Sequence, residues 1–282
     1  MARLESKTEG LDLYVHVART FADSPWLHYG YWKPDEHVSV PNLRNAQERY
    51  VKQLLKLFPS PPATVLDIGG GTGEMAALLT TMGYRTDMLT PSRVQIEAAR
   101  EKLPAGHTHH TAFEDFDTGR KFDVLLFSES FQYVPLDKSL PKAKSLLAAG
   151  GRIIISDFFR KRLITDELYP GGGHLIGAFE EAVTKYGLVV RENRDVTAFV
   201  APTMALDQNI YRGFVAPLIS QIDHSGRQSH PVLHWIVIAL INLFTSRETR
   251  RRFQERLKAD YRSPERFMEV NSYRFLTLES AD

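Results

Sequence analysis

Apolar and polar positions change their period several times along the chain. Between residues 43 and 58 they recur in helical steps: Ala46, Tyr50, Leu54 and Leu57 share one face, which predicts a helix from Leu43 to Phe58. Pro59, Pro61 and Pro62 then stop it, because proline cannot continue a helix. Upstream, Leu11, Tyr14, Val15, Val17 and Ala18 have near-helical spacing, and an aromatic knot follows, Trp26-Leu-His-Tyr-Gly-Tyr-Trp32.

From Thr64 the pattern becomes short apolar runs alternating with helical stretches. Thr64–Ile68, Arg85–Leu89, Phe122–Phe127, Arg152–Asp157, Leu188–Val196 and Ser272–Leu278 read as strands. A helix from the Gly73 region through Leu79, then Ser92–Lys102, Leu136–Ala148 and Leu175–Tyr186, read as the helices between them, with Gly150-Gly151 as a helix stop. Strand–helix alternation predicts βαβ units with right-handed crossovers, a parallel sheet covered on both faces. The expected class is α/β. Its expected parts are an N-terminal helical lid (1–62), a core (63–199), a helical cap insertion (200–268) and a final core strand (269–282).

Composition changes this picture little. The chain has 282 residues, 43% hydrophobic and 24% charged, with a net charge of +1. That is ordinary for a globular chain and gives no overall bias towards nucleic acid or membranes. With no cysteine, disulfides, thiolate metal sites and cysteine nucleophiles are excluded. The ten histidines show no H-x-x-x-H or paired-carboxylate spacing, so no metal site is expected. The first twenty residues lack the apolar region of a signal peptide, and a cytoplasmic setting is expected.

The candidate chemistry centres on Val65-Leu-Asp-Ile-Gly-Gly-Gly-Thr-Gly73, a glycine loop between a strand and a helix. Such glycines permit a tight turn and let a ligand approach the backbone. The dinucleotide fingerprint G-x-G-x-x-G does not fit, since Glu74 and Ala76 follow Gly71 and Gly73. Asp67, just before the loop, would repel a pyrophosphate and suits a ligand with a cationic amino group.

Asp67-Ile-Gly-Gly-Gly-Thr-Gly73 resembles motif I of the class I S-adenosylmethionine-dependent methyltransferases. Lys121-Phe-Asp-Val-Leu-Leu-Phe-Ser128 resembles their fourth strand, and Leu147-Ala-Ala-Gly-Gly-Arg-Ile-Ile-Ile-Ser-Asp157 their "LkPGG" turn and fifth strand. Many members carry an acid at the end of the second strand. Thr90-Pro-Ser-Arg-Val-Gln95 instead resembles the T-L-S-x-x-Q segment of the sterol, tocopherol, cyclopropane fatty acid and betaine-forming group. His28-Tyr-Gly-Tyr-Trp32 is similar to that group's H-[YF]-G-[YF]-W segment. The resemblance implies a Rossmann-like doubly wound sheet of seven strands, the last antiparallel, with S-adenosyl-L-methionine as cofactor. It implies binding roles for Asp67, Gly69 and Gly71 in the cradle, Thr90 and Gln95 at the ribose, and Phe113 and Glu114 near the adenine. Tyr14, Tyr29, Tyr31 and Ser128 would lie around the methionine end. Plain aromatic packing is the alternative for each tyrosine, and a helix N-cap by Thr90 or Ser92 for the Thr90 segment, which is compatible with the ribose role.

Ser128-Glu-Ser-Phe-Gln-Tyr-Val134 resembles the family's S-x-E-S-x-x-H segment, with Tyr133 where histidine is usual. Glu129 is the candidate base or charge stabiliser, Tyr133 a candidate for orienting substrate, and His174 a second candidate base. The alternatives are a turn-capping or ion-paired Glu129 and a capping His174. Val232–Phe244 is apolar nearly all round, and Arg247–Arg266 carries eight basic against four acidic residues. Together they predict a roof over a greasy pocket or a peripheral membrane contact, the alternative being a buried helix beneath a solvated one. The expected function is methyl transfer to a small apolar, lipid, isoprenoid or aromatic acceptor, with carbon slightly favoured. N- or O-methylation of a polar metabolite, a non-catalytic cofactor-binding scaffold and a nicotinamide oxidoreductase are the rivals. A nucleic-acid substrate is not expected, and the oligomeric state stays open.

Overall fold

The computed structural model describes residues 24–163, 172–210, 212–213, 216–230, 235 and 263–281. The first helical stretch with Tyr14, Gly171, and most of the apolar and basic segments expected of the cap lie outside the described residues.

Seven strands form one sheet in the order β3-β2-β1-β4-β5-β7-β6. They are β1 (Thr64–Ile68), β2 (Arg85–Thr90), β3 (Thr108–His110), β4 (Phe122–Ser128), β5 (Leu147–Arg160), β6 (Leu188–Asp195) and β7 (Asn271–Ser280). β1 to β5 pair in parallel, and β7 runs antiparallel between β5 and β6. This is the expected Rossmann-like sheet with a reversed last strand. The chain runs outward from β1 to β3 and then returns to β4, so strand order reverses between β1 and β4. That point, at the carboxyl ends of the strands, is where open α/β sheets bind their ligands.

The helices of the core are α1 (Val40–Leu54), α2 (Glu74–Thr81), α3 (Arg93–Arg100), α4 (Leu136–Leu146) and α5 (Ile176–Lys185). One cluster joins Leu66, Leu125, Phe127, Ile153, Ile155 and Leu276 from the sheet to Leu140, Ala143, Phe179 and Val183 from α4 and α5. A smaller one joins Met88 on β2 to Ala76, Ile96, Ala99 and Leu103. At the edge of the sheet, Asp87 is wholly buried. It is held by Arg120 and by His107 Nδ1 at 2.6 Å, a structural ion cluster rather than a ribose acid.

One boundary differs from the sequence reading. β5 begins at Leu147, and Gly150 lies inside it, not beyond a helix stop. The register with β4 jumps from Phe122↔Leu147 to Val124↔Arg152, so residues 148–151 form a bulge. A helix stop and a bulge both use a glycine at positive φ, here +72°, and the sequence alone does not separate them.

Contacts divide the chain into two compact units, the second comprising residues 164–171 and 201–270. Its described helices are Pro202–Ile210, Ala216–Ser229 and Pro264–Val270; the first and last pack together through a set including the buried Met204, Leu206, Phe267 and Val270. In the described residues no helix is long and apolar enough to cross a membrane.

In the first unit, α1 anchors the aromatic knot through a buried polar residue on its inner face. Gln47 Nε2 donates to Trp26 O at 3.1 Å and His28 O at 2.6 Å, while its Oε1 accepts from Ser24 Oγ at 2.5 Å. Arg49 Nε donates to Tyr31 O, and Tyr31 N to Ala46 O. Leucine at position 47 keeps the volume and strands two buried carbonyls. We expect Gln47→Leu to lower unfolding free energy by about 2–4 kcal/mol in chemical denaturation, with faster proteolysis near residues 24–32. A loss below about 0.5 kcal/mol would remove the anchoring role.

Candidate active site

The glycine loop is shaped by the carboxylate beneath it. Asp67 is 1% exposed, and among the described residues its Oδ2 has no hydrogen-bond partner. Burial alone raises its pKa to about 7. A Cβ on Gly70 would lie 2.6 Å from that Oδ2, so a side chain there would push the carboxyl aside. Gly69, Gly71 and Gly73 all have positive φ, +73°, +56° and +82°. Gly69 N and Gly70 N donate to Leu89 O of β2, at 2.9 and 3.2 Å. On the far side Lys102 Nζ donates to Thr72 O and pairs with Glu74, tying the loop to the end of α3. Thr72 Oγ1 in the same loop is also buried without a partner among the described residues.

At the end of β2, Thr90 and Gln95 meet. Thr90 Oγ1 donates to Gln95 Oε1 at 2.9 Å and accepts from Ser92 N at 3.3 Å. Ser92, not Thr90, caps α3, its Oγ accepting from Gln95 N. The capping alternative for Thr90 is therefore taken by its neighbour.

The loop after β4 carries the second carboxyl. Glu129 has φ +57°, a left-handed conformation that costs a non-glycine residue about 1–3 kcal/mol. Its N–H donates to Ser156 O at 2.8 Å. Its Oε1 accepts from Tyr29 N and from Tyr273 Oη, both at 2.8 Å. Burial outweighs these two bonds and, with the nearby Asp157, raises the carboxyl to about 8. Glu129 thus binds the aromatic knot and, among the described residues, is not paired with an arginine.

Asp157, wholly buried, is a third carboxyl raised by burial, to about 7. It accepts from Gln132 N (3.0 Å), Gln132 Nε2 (3.2 Å) and Phe158 N (2.8 Å), which fixes the 3-10 turn Phe131–Tyr133. Tyr133, on that turn, is half exposed. His174 Nε2 donates to Phe131 O and Val134 O, both at 3.1 Å, so only Nδ1 of that ring is left to accept a proton.

The other sequence-derived residues fall as follows. Tyr31 stacks on Phe199 with ring centroids 4.5 Å apart, and Tyr29 has its ring 6.0 Å from Tyr273. Ser128 Oγ lies 3.5 Å from the Tyr50 hydroxyl. Phe113 is buried edge-on against Phe127, and Glu114 is exposed, with its carbonyl accepting from Lys142. Their side chains point into the core and into solvent respectively, so what this turn can offer a ligand is backbone. Sequence reasoning missed Tyr50, Gln132, Ser156, Asp157 and Tyr273. Tyr50 and Tyr273 are 223 positions apart, and only the fold brings them together.

An S-adenosyl ligand fits this donor set: a buried unpartnered carboxylate suits its ammonium group, and the loop leaves backbone exposed where a side chain would block it.

The comparisons agree. Residues 42–256 match the family model described as a methyltransferase domain. The chain is 32% identical over 97 residues to an uncharacterized methyltransferase of Bacillus cytotoxicus, covering 33% of this chain and 46% of that one. It therefore spans less than half the length of that relative. Among solved structures it is similar to the (4+2)-cyclase SpnF, with TM-score 0.67, 18% identity and 98% and 96% of the two chains covered. A mycolic acid cyclopropane synthase complexed with SAH and CTAB gives TM-score 0.65, 19% identity and 95% of each chain. The chain belongs to the methyltransferase-domain family, in the class I S-adenosylmethionine-dependent group.

Two substitutions probe the cradle. Gly70→Ala forces Asp67 aside and should weaken S-adenosylhomocysteine binding by at least tenfold in calorimetry. Asp67→Asn should do the same yet raise the thermal midpoint by a few degrees. The sign follows from the raised carboxyl: between about pH 4 and 7 the unfolded chain releases this proton while the folded chain keeps it, so stability falls through that window. Asparagine removes the loss. Unchanged affinity in both variants would move the ligand elsewhere.

Proposed function

We propose that the chain transfers a methyl group from S-adenosylmethionine to a small, largely apolar acceptor, with Glu129 as its acid–base group and carbon slightly favoured as the methylated atom. The observation that carries this reading is the buried carboxyl of Asp67, whose Oδ2 has no partner among the described residues, packed against a glycine whose replacement would displace it. A dinucleotide would set its pyrophosphate against that charge. A cationic sulfonium nucleoside with an ammonium group is attracted by it.

In this reading Asp67 holds the ammonium, and Gly69 and Gly71 give their backbone to the ligand. Thr90 and Gln95 hold the ribose; because Gln95 Oε1 already accepts from Thr90, its amide nitrogen faces the ligand hydroxyls. Phe113 and Glu114 contribute backbone at the adenine, and Tyr29, Tyr31 and Ser128 enclose the methionine end. The cofactor supplies a carbon already activated by positive sulfur. The chain then contributes position, exclusion of water and a proton acceptor.

Glu129 suits the last task. With a pKa near 8 it takes up a proton from a methylated carbon, or from a hydroxyl about to be methylated, and releases it to solvent without a large penalty. His174 has one nitrogen committed to two carbonyls, so we assign it to holding the 3-10 turn. Tyr133, half exposed at that turn, is the residue we assign to orienting the acceptor. An apolar acceptor is supported by the apolar Val232–Phe244 stretch and by the fold shared with an enzyme whose name places it on mycolic acids.

A second reading has one observation behind it. SpnF shares the fold over nearly the whole of both chains and is named for a cyclisation, not a methyl transfer. The two readings separate on whether S-adenosylmethionine is consumed.

Calorimetry should give a micromolar dissociation constant for S-adenosylhomocysteine and no heat with NAD. Methyl-labelled donor offered with a panel of isoprenoids, fatty acids and phenols should yield label in an organic extract. Glu129→Gln should lower that turnover by about 100-fold or more and leave the methionine-end affinity within about threefold. NAD binding, or S-adenosylmethionine binding without S-adenosylhomocysteine formation on any acceptor, would contradict methyl transfer.

A further inference from the structure

Behind Glu129 runs a set of buried hydroxyls from Tyr273, Tyr50 and Ser156. Tyr273 on β7 spends its one proton on Glu129 Oε1 at 2.8 Å. Tyr50 on α1 lies 2.8 Å from the Tyr273 hydroxyl, so its own proton goes there. The Tyr50 oxygen is then left to accept from Ser156 Oγ, its close neighbour on β5. The order Ser156→Tyr50→Tyr273→Glu129 points every donor the same way, and each bond polarises the next. Tyr50, Tyr273 and Ser156 are wholly buried.

Tyr29 N donates to the same Oε1. That oxygen therefore receives two donors, and Oε2 is the carboxyl atom left to take a proton. The backbone is pinned as well, since the strained left-handed Glu129 is held by its bond to Ser156 O. We propose that Tyr273, backed by Tyr50, is a positioning residue that commits Oε1 of Glu129 to the protein and makes Oε2 the proton-accepting atom of the active site. This rests on the reading of Glu129 as the acid–base group.

The surrounding charges fit a relay that donates without ionising. Burial, with Glu129 beside them, raises Tyr50 and Tyr273 far above neutrality, so both stay protonated. Asp157 pushes Glu129 upward, and the Tyr29 and Tyr273 bonds pull it down. His28 stacks on Tyr50 with centroids 4.3 Å apart, and burial lowers it to about 4, so it adds no cation at neutral pH.

Infrared spectroscopy of the whole protein tests this with no acceptor needed. The protonated carboxyl band of Glu129 is identified by its disappearance in Glu129→Gln and titrated from about pH 6 to about 10. Its midpoint should lie near 8 in the wild type. Tyr273→Phe removes a hydrogen bond to the charged form, and the midpoint should rise by about one pH unit. Tyr50→Phe, which keeps the Tyr273 bond but strips its support, should move it the same way by less, and it stands alone as the test if Tyr273→Phe does not fold. A midpoint that stays or falls in either folded variant overturns the proposal.

In the labelled-methyl assay the acidic limb of the Tyr273→Phe rate profile should move up with the infrared midpoint and recover at high pH. A rate lowered equally at every pH would mean packing alone and also overturn it. If the wild type shows no turnover but the infrared midpoints move as described, the function proposed above fails and the positioning of Oε2 stands.

Discussion

One buried charge constrains the rest of the site. The carboxyl of Asp67 sits at the end of β1, directly under the loop that follows, and among the described residues no group satisfies its Oδ2. Glycine at position 70 leaves the carboxyl in place, because a methyl group there would take its volume. The loop's bonds to Leu89 O then tie it to β2, whose last residue begins the Thr90–Gln95 pair. An unsatisfied buried carboxylate is costly, and a fold retains one where a ligand completes it.

Glu129 and Asp157 extend the same logic along the carboxyl ends of β4 and β5. All three carboxyls are raised by burial towards neutral values. They differ in what surrounds them. Asp157 is filled by three N–H donors and serves as a brace for the turn after Glu129. Glu129 is filled on one oxygen. Asp67 has the least protein help and the greatest need of a ligand. A stable core would carry no such row of carboxyls, and its cost at neutral pH is the mark of a site built for binding and proton transfer.

Much of this was legible in the sequence. The strand period and the glycine run after Asp67 placed the strands on either side of the loop, and the Thr90/Gln95 spacing marked a pair that hydrogen-bonds, because each is a local pattern set by local sterics. The Gly150 bulge was misread as a helix stop, since both need the same backbone angle. The Tyr50–Tyr273–Glu129 chain was invisible, because its members come from a helix face, an antiparallel strand and a loop that meet only once the sheet forms. Nothing in the helical period marks Gln47, whose work lies in the aromatic knot it holds.

The central claim is that the Asp67 carboxylate, half protonated near neutrality, is completed by a cationic ligand. Calorimetry of S-adenosylhomocysteine in buffers of different ionisation enthalpy counts the protons exchanged on binding. The account predicts release of about half a proton at pH 7, growing below that pH, vanishing well above it and absent in Asp67→Asn. Binding with no proton release at any pH between about 6 and 8, or release that persists in that variant, would contradict it.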